Sequence, residues 1–301
     1  MTAAMFVPIA MNDAVLTASN IPETDYPAWV TGTSYTTGDR VIRTVTHSVY
    51  EAVTTGVSNT APENDPVQWI RVGATNRWRP FDGSIGQDAS QTGTVTYTIT
   101  SPTVNDAIAF VGLIAVSVRV LIKDASAVVK YDVTRDLVDG SGIASWLDFF
   151  SYESEYEEEQ VFVDLPLLPT YTAEITIDGG GGTAGIGEIV FGKQVILGNI
   201  LDGSRSGFTD YTTRTVDDFG NIELIRRPTA RKAEWMFAFD TRSNRRIQRA
   251  LENARGVKCF FYPGEDMADF YLSVFGVADE FYPSLSAGGT TVDTLSLTGV
   301  S

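Results

Sequence analysis

The sequence holds one cysteine and one histidine, and each scarcity removes a class of chemistry. A lone Cys259 can form neither an internal disulfide framework nor a cysteine-based zinc cluster. Its setting, Val257-Lys258-Cys259-Phe260-Phe261, predicts a buried strand carrying an inert core thiol. A lone His47, between two short predicted strands, gives little from which to build a serine or cysteine triad. No His-Glu-x-x-His or paired-cysteine pattern is present, so no metal and no cofactor is expected. Long apolar runs are missing too. The most apolar stretch, Ala107 to Ile122, is broken by Ser117 and Arg119 and is rich in β-branched residues, which predicts buried strands and no membrane insertion. The opening MTAAMFVPIAMND lacks the basic start of a secretory signal, so a soluble chain made in a cytoplasm is expected.

Basic residues are also in short supply, with 22 Lys and Arg against 38 Asp and Glu, for a formal charge of −16. That balance argues against nucleic acid as a general partner. The few cations are unevenly spread. Residues 205–258 hold twelve of them with seven acids, a local balance of +5 that leaves −21 for the rest. A basic patch on an acidic molecule suits head-to-tail contact between copies, where one face must match a different face of its neighbour.

What is present points to β-structure. Thr, Val, Tyr, Phe and Gly recur throughout, and short alternating runs are separated by Gly, Pro and Asp. The predicted fold class is mainly β: a small aromatic-rich β module, an antiparallel β-sandwich of jelly-roll type, and a β-rich α+β C-terminal domain with one helix. The expected boundaries are an N-terminal arm over 1–20, the small module over 21–83, the sandwich over 84–201 and the C-terminal domain over 202–301.

In the small module the order Ala28-Trp29, Tyr35-x-x-Gly38-Asp39-x-Val41, Tyr50-x-Ala52, Pro62 and Trp69 resembles the chitin-binding modules of families 5 and 12. The resemblance covers about a fifth of the chain. It makes Trp29, Tyr35, Tyr50 and Trp69 candidate carbohydrate-binding residues. The sequence departs from the family just after the Tyr-x-Ala strand, where exposed aromatics would stack on sugar rings and Val53-Thr54-Thr55-Gly56 stands instead. The competing reading makes Trp29 and Trp69 the core of a mini-domain. Next comes Asn76-Arg77-Trp78-Arg79-Pro80-Phe81-Asp82-Gly83, which is similar to a junction in phage tail proteins that carry such a module. Read without the resemblance, it is an inter-domain connector whose Trp78 and Phe81 tuck into the next domain, with Asp82-Gly83 as a turn.

In the predicted sandwich, Val95, Tyr97 and Ile99 alternate with threonines on a half-buried strand. The acidic run Glu153, Glu155, Glu157, Glu158, Glu159 reads as a solvated loop or strand edge. Gly187-x-x-x-x-Gly192-Lys193 fails as a phosphate loop because Gln194 replaces the Ser or Thr that would meet Mg²⁺, and Gly179 to Gly182 read as a hairpin turn. In the last domain a helix is predicted over Ser243 to Arg255, capped near Asp240 and stopped by Gly256. Ile247, Ala250, Leu251 and Ala254 share one face. Arg245, Arg246 and Arg249 share the other and are the candidate assembly interface, unless Asp217, Asp218, Glu234 or Glu252 pair with them locally.

Together the resemblances imply a structural component of a phage virion tail, at the tail tip, distal tail or baseplate, assembled in the host cytoplasm. The implied partners are other virion tail proteins, further copies of the chain, and a host cell-surface polysaccharide. The alternatives are a carbohydrate-binding attachment protein and, behind it, a polysaccharide-cleaving tail enzyme using two carboxylates. The expectation is that the chain is not an enzyme.

Overall fold

The computed structural model describes residues 2–139, 145–146, 150, 155–216, 220–264, 272–281, 284 and 289–300. Strands take up 57% of it and helices 8%, so the fold is mainly β and its sheets are antiparallel. In chain order come β1 (Thr2–Pro8) and β2 (Leu16–Ser19), then the small module's β3 (Thr33–Tyr35), β4 (Arg40–Arg43), β5 (Ser48–Ala52), β6 (Gly56–Ser58) and β7 (Trp69–Ala74). The middle of the chain gives β8 (Ala89–Ser101), β9 (Ala107–Ile114), β10 (Ser117–Asp124), β11 (Val129–Asp136), β12 (Val138–Asp139), β13 (Glu155–Tyr156), β14 (Glu159–Phe162) and β15 (Tyr171–Ile200). The last third gives β16 (Arg205–Asp210), β17 (Thr213–Val216), β18 (Ile222–Ile225), β19 (Thr229–Asp240), helix α1 (Asn244–Asn253), β20 (Cys259–Tyr262), β21 (Val274–Phe281) and β22 (Thr290–Gly299). Among the described residues no helix is long and apolar enough to cross a membrane.

The 30-residue β15 organises the molecule. Its first part pairs with β8 on one side and β10 on the other, so Ala173, Ile175 and Ile177 face the same interior as Val95, Tyr97 and Ile99. Its middle pairs with β9, and Ile189 and Phe191 enter that interior from the second layer. Between the two parts lies the glycine run, which is a bulge inside one strand rather than a turn joining two. Asp178 pairs with Thr94 and Thr183 with Thr92, so four residues on β15 face one on β8. The bulge needs glycine at Gly180, whose φ is +60° and where a Cβ would come within 2.6 Å of Val116.

The last part of β15 pairs with β1, and the ring continues through β20, β21, β22 and β19 back to Asn199 and Ile200 of β15. Six antiparallel strands thus close on themselves. Trp235, Phe237, Phe261 and Leu295 fill the interior, and α1 lays Ile247 over it. Residues 1–20, expected as an arm, therefore supply working strands: β1 is a stave of the barrel and β2 pairs with β8. The expected break at 201–202 likewise falls where β15 has already become part of the barrel. The reason is that β1 is apolar on both faces. Ala3 and Met5 point into the barrel, while Ala4 and Phe6 join a second cluster with Val190, Phe260 and Tyr262 that binds barrel to sandwich.

Helix α1 spans Asn244–Asn253 after a short 3₁₀ turn over Thr241–Ser243. Asp240 caps that turn by accepting from the Arg242 N–H, and Gly256 stops the helix at φ +78°. Cys259 is buried as expected, and burial pushes its thiol up to about 12.

Candidate functional site

Three regions were candidates from the sequence, and the fold treats them differently. In the small module, Tyr35, Tyr50 and Trp69 are buried together with Val41 and Ala52, and Trp69 is only 3% exposed. Trp29 is half-buried against this cluster. Its indole N–H and that of Trp69 both donate to Ser58 Oγ, at 3.0 and 3.1 Å. The Arg43 guanidinium lies 5.0 Å from the centre of the Trp29 ring and is held there by Glu63 through two hydrogen bonds. That cation holds Glu63 below the usual carboxylate range. Three of the four candidate sugar-binding rings are thus interior, and the fourth lies under an ion pair.

The junction is an anchored knot rather than a loose connector. Trp78 is buried in the sandwich core, Phe81 packs beside it, and Phe81 meets Tyr97 edge-on at 5.5 Å. Glu23 gathers the small module onto this point. Its carboxylate accepts from Trp78 Nε1 at 3.1 Å and Thr75 Oγ1 at 3.0 Å, and lies 3.2 Å from His47 Nδ1. Asn76 imitates a strand by exchanging side-chain hydrogen bonds with the backbone of Ser90 in β8. The Gly83 turn, at φ +75°, is gripped from both ends: its N–H donates to Glu188 Oε2 at 2.9 Å, and its carbonyl accepts from Lys258 Nζ. Burial raises Glu188 to about 9, the nearby Asp82 adds to that, and the Gly83 N–H and Lys258 oppose it. Asp82 is itself raised by burial.

Of the acidic run, Glu153 lies outside the described residues, and Glu158 is exposed as expected. Glu159 departs from the solvated reading. It accepts from Arg231 at 2.6 Å and from the Ser273 hydroxyl, and burial raises its pKa despite both contacts. Glu159 thus ties the sandwich edge strand β14 to the barrel. It stands in a cleft of about 680 Å³ between the two, walled by Ile85, Val111, Phe208, Phe275 and Val300. Among the described residues there is no group of three or more side chains suited to hold a metal ion.

Arg245, Arg246 and Arg249 are exposed on the outer face of α1, opposite Ile247. Among the described residues no acid forms an ion pair with them. Glu234 pairs with Arg205, Glu252 accepts from Gln248, and Asp217 and Asp218 lie outside the described residues.

One feature gave no sequence signal. Among the described residues β16 pairs with β19 alone, and β17 and β18 pair with each other as a separate two-stranded antiparallel hairpin. Phe208, Tyr211, Val216, Ile222, Leu224 and Ile225 are each between 48% and 73% exposed. Apolar side chains here follow no clean period of two, so a sequence window sees neither a buried face nor a strand.

No family model matches the chain, and neither a curated protein nor a solved structure was found to match it.

Proposed function

We propose that this protein is a structural subunit of a phage virion tail, at the tail tip, distal tail or baseplate, working in several copies. The identity part of this reading is supported by the Asn76 to Gly83 junction, which resembles a junction in phage tail proteins, and by the module before it, which resembles the chitin-binding modules such proteins carry. The multi-copy part is carried by the exposed hairpin. Soluble monomers rarely leave a contiguous apolar patch of more than a few hundred Å² uncovered, and an isolated two-stranded hairpin is marginal in water. Six large apolar side chains on and beside such a hairpin call for a partner surface. A hairpin seated on a different face of the next copy makes a head-to-tail contact, which closes into a ring when the rotation allows. The cleft at the foot of β16, where Ile85, Val111, Phe275 and Val300 stand beside the Glu159–Arg231 pair, is a recess available to receive it.

Light scattering and negative-stain microscopy of the full chain test this. The expected result is a multi-copy species, with ring-shaped particles, that falls to monomer in the Phe208→Ser/Leu224→Ser double variant without loss of melting temperature. A wild-type chain that stays monomeric at every concentration, or a variant with unchanged assembled mass, overturns the reading. Attachment to neutral sugar through the small module has less support, because its four candidate rings offer no open face.

A further inference from the structure

One flank of α1 and the barrel strand β15 border an open cleft of about 560 Å³. Five cations line it: Lys193 from β15, and Arg242, Arg245, Arg246 and Arg249 from the helix and the turn before it. No acid lines it, and none of the five forms an ion pair among the described residues. Two acids close to these arginines in sequence are engaged: Asp240 accepts the Arg242 backbone N–H and Glu252 the Gln248 amide. Arg246 is held in place by donating to the Ile196 carbonyl at 2.9 Å.

This arrangement opposes the helix that carries it. A helix N-terminus favours anions, yet the first turn of α1 has no acid and contains Arg245 and Arg246. Arg245 and Arg249 are four apart and Arg246 and Arg249 three apart, spacings at which like charges on a helix repel. In a chain with 38 acids, five cations around one recess with no ion pair among the described residues are a local electrostatic cost.

We infer that this cleft is a binding site for a slender oligoanion bearing several phosphate groups. Guanidinium forks take up phosphate oxygens bidentately. A protein face fits less well, because the centres of protein interfaces are apolar and only Val195 and Ala250 are apolar here. A base-bearing strand gains nothing over a bare phosphate chain, since no aromatic ring lines the cleft for stacking. The inference is independent of the assembly reading, because it concerns ligand uptake by each copy.

The test uses the full chain at low salt, with tripolyphosphate and a poly(glycerol phosphate) as probes, read by calorimetric titration and melting temperature. A probe at a hundred times its Kd should raise the melting temperature by roughly 5 °C. The Arg245→Gln/Arg249→Gln variant should bind at least tenfold more weakly. Without ligand it should melt no lower than wild type, since it removes a repulsive pair. Arg255→Gln, outside the cleft, should bind as wild type does. The tighter of the two probes identifies the source as a free polyphosphate or a phosphodiester polymer. Absence of any shift, a shift that survives in the double variant, or a response to poly-glutamate or a single-stranded oligonucleotide exceeding that to both phosphate probes overturns the site.

Discussion

His47 stacks its imidazole on the Trp78 indole, with ring centres 4.0 Å apart and planes 21° from parallel. The chain's one histidine thus belongs to a mechanical joint. His47 stands at the turn between β4 and β5 of the small module, at φ +48°, while Trp78 is rooted in the sandwich core. Trp78→Ala removes both the stack and a buried ring, and large-to-small changes of this kind cost about 3–5 kcal/mol. Calorimetry should show the small module melting separately and earlier in the variant. Glu23→Gln, which keeps an acceptor for Trp78 Nε1, should cost less.

Ser58 is the shared acceptor for two indole donors. Ser58→Ala leaves both buried or half-buried N–H groups without that oxygen, at a cost of about 1–3 kcal/mol. Trp69→Ala should cost more, about 3–5 kcal/mol, because the ring is fully enclosed, and Trp29→Ala less, because it is not. Tryptophan fluorescence during chemical unfolding ranks the three. Equal losses for Trp29 and Trp69 would contradict their different burial.

Glu188 gives the molecule a pH dependence of definite sign. Its folded value is raised to about 9 from an ordinary 4.5, so between these pH values the native state holds a proton that the unfolded chain releases. This contribution is fully present below about pH 4.5 and is lost as pH rises through about 9. Glu188→Gln keeps an acceptor for the Gly83 N–H and removes the titration. Melting temperatures taken from pH 5 to 9 should fall less steeply in the variant, and the gap between the two proteins should widen toward alkaline pH. Parallel curves would show that Glu188 ionises normally.

Gly192 marks the closest approach of β15 and β1, and a Cβ there would lie 1.9 Å from the Val7 carbonyl oxygen. Gly192→Ala should therefore loosen β1, and with it the end of β9 that pairs with Gly192, while leaving β8 and β10 in place. Hydrogen exchange should then speed up at residues 3–7 and in β20, with the β8 and β10 amides unchanged.

Elements whose burial follows a local period were legible in the sequence. Val95, Tyr97 and Ile99 mark β8 because their neighbours are threonines, and Ile247, Ala250 and Leu251 mark α1 because arginines fill the opposite face. The core role of Trp69 was legible as well, as one of two competing readings. β1 was not, since Ala3 to Phe6 are buried on both faces and show no alternation. The exposed hairpin failed for the opposite reason, because almost nothing on it is buried. Glu159 was hidden within a run of like residues, and only the fold brings Arg231 and Ser273 to it.

The barrel's closure also sets a timetable for making the protein. Phe6 of β1 pairs with Phe260, so about 250 residues must follow it before its second neighbour exists. At about 5–20 residues per second, the ribosome takes roughly 10–50 s to supply that neighbour. Contacts this distant along the chain also slow folding itself. Throughout that interval the newborn chain carries Ala3-Ala4-Met5-Phe6 without the strand that will cover one of its edges. Whatever shields that segment during synthesis, a chaperone or a transient collapse onto the small module, governs how much of the protein reaches its closed form.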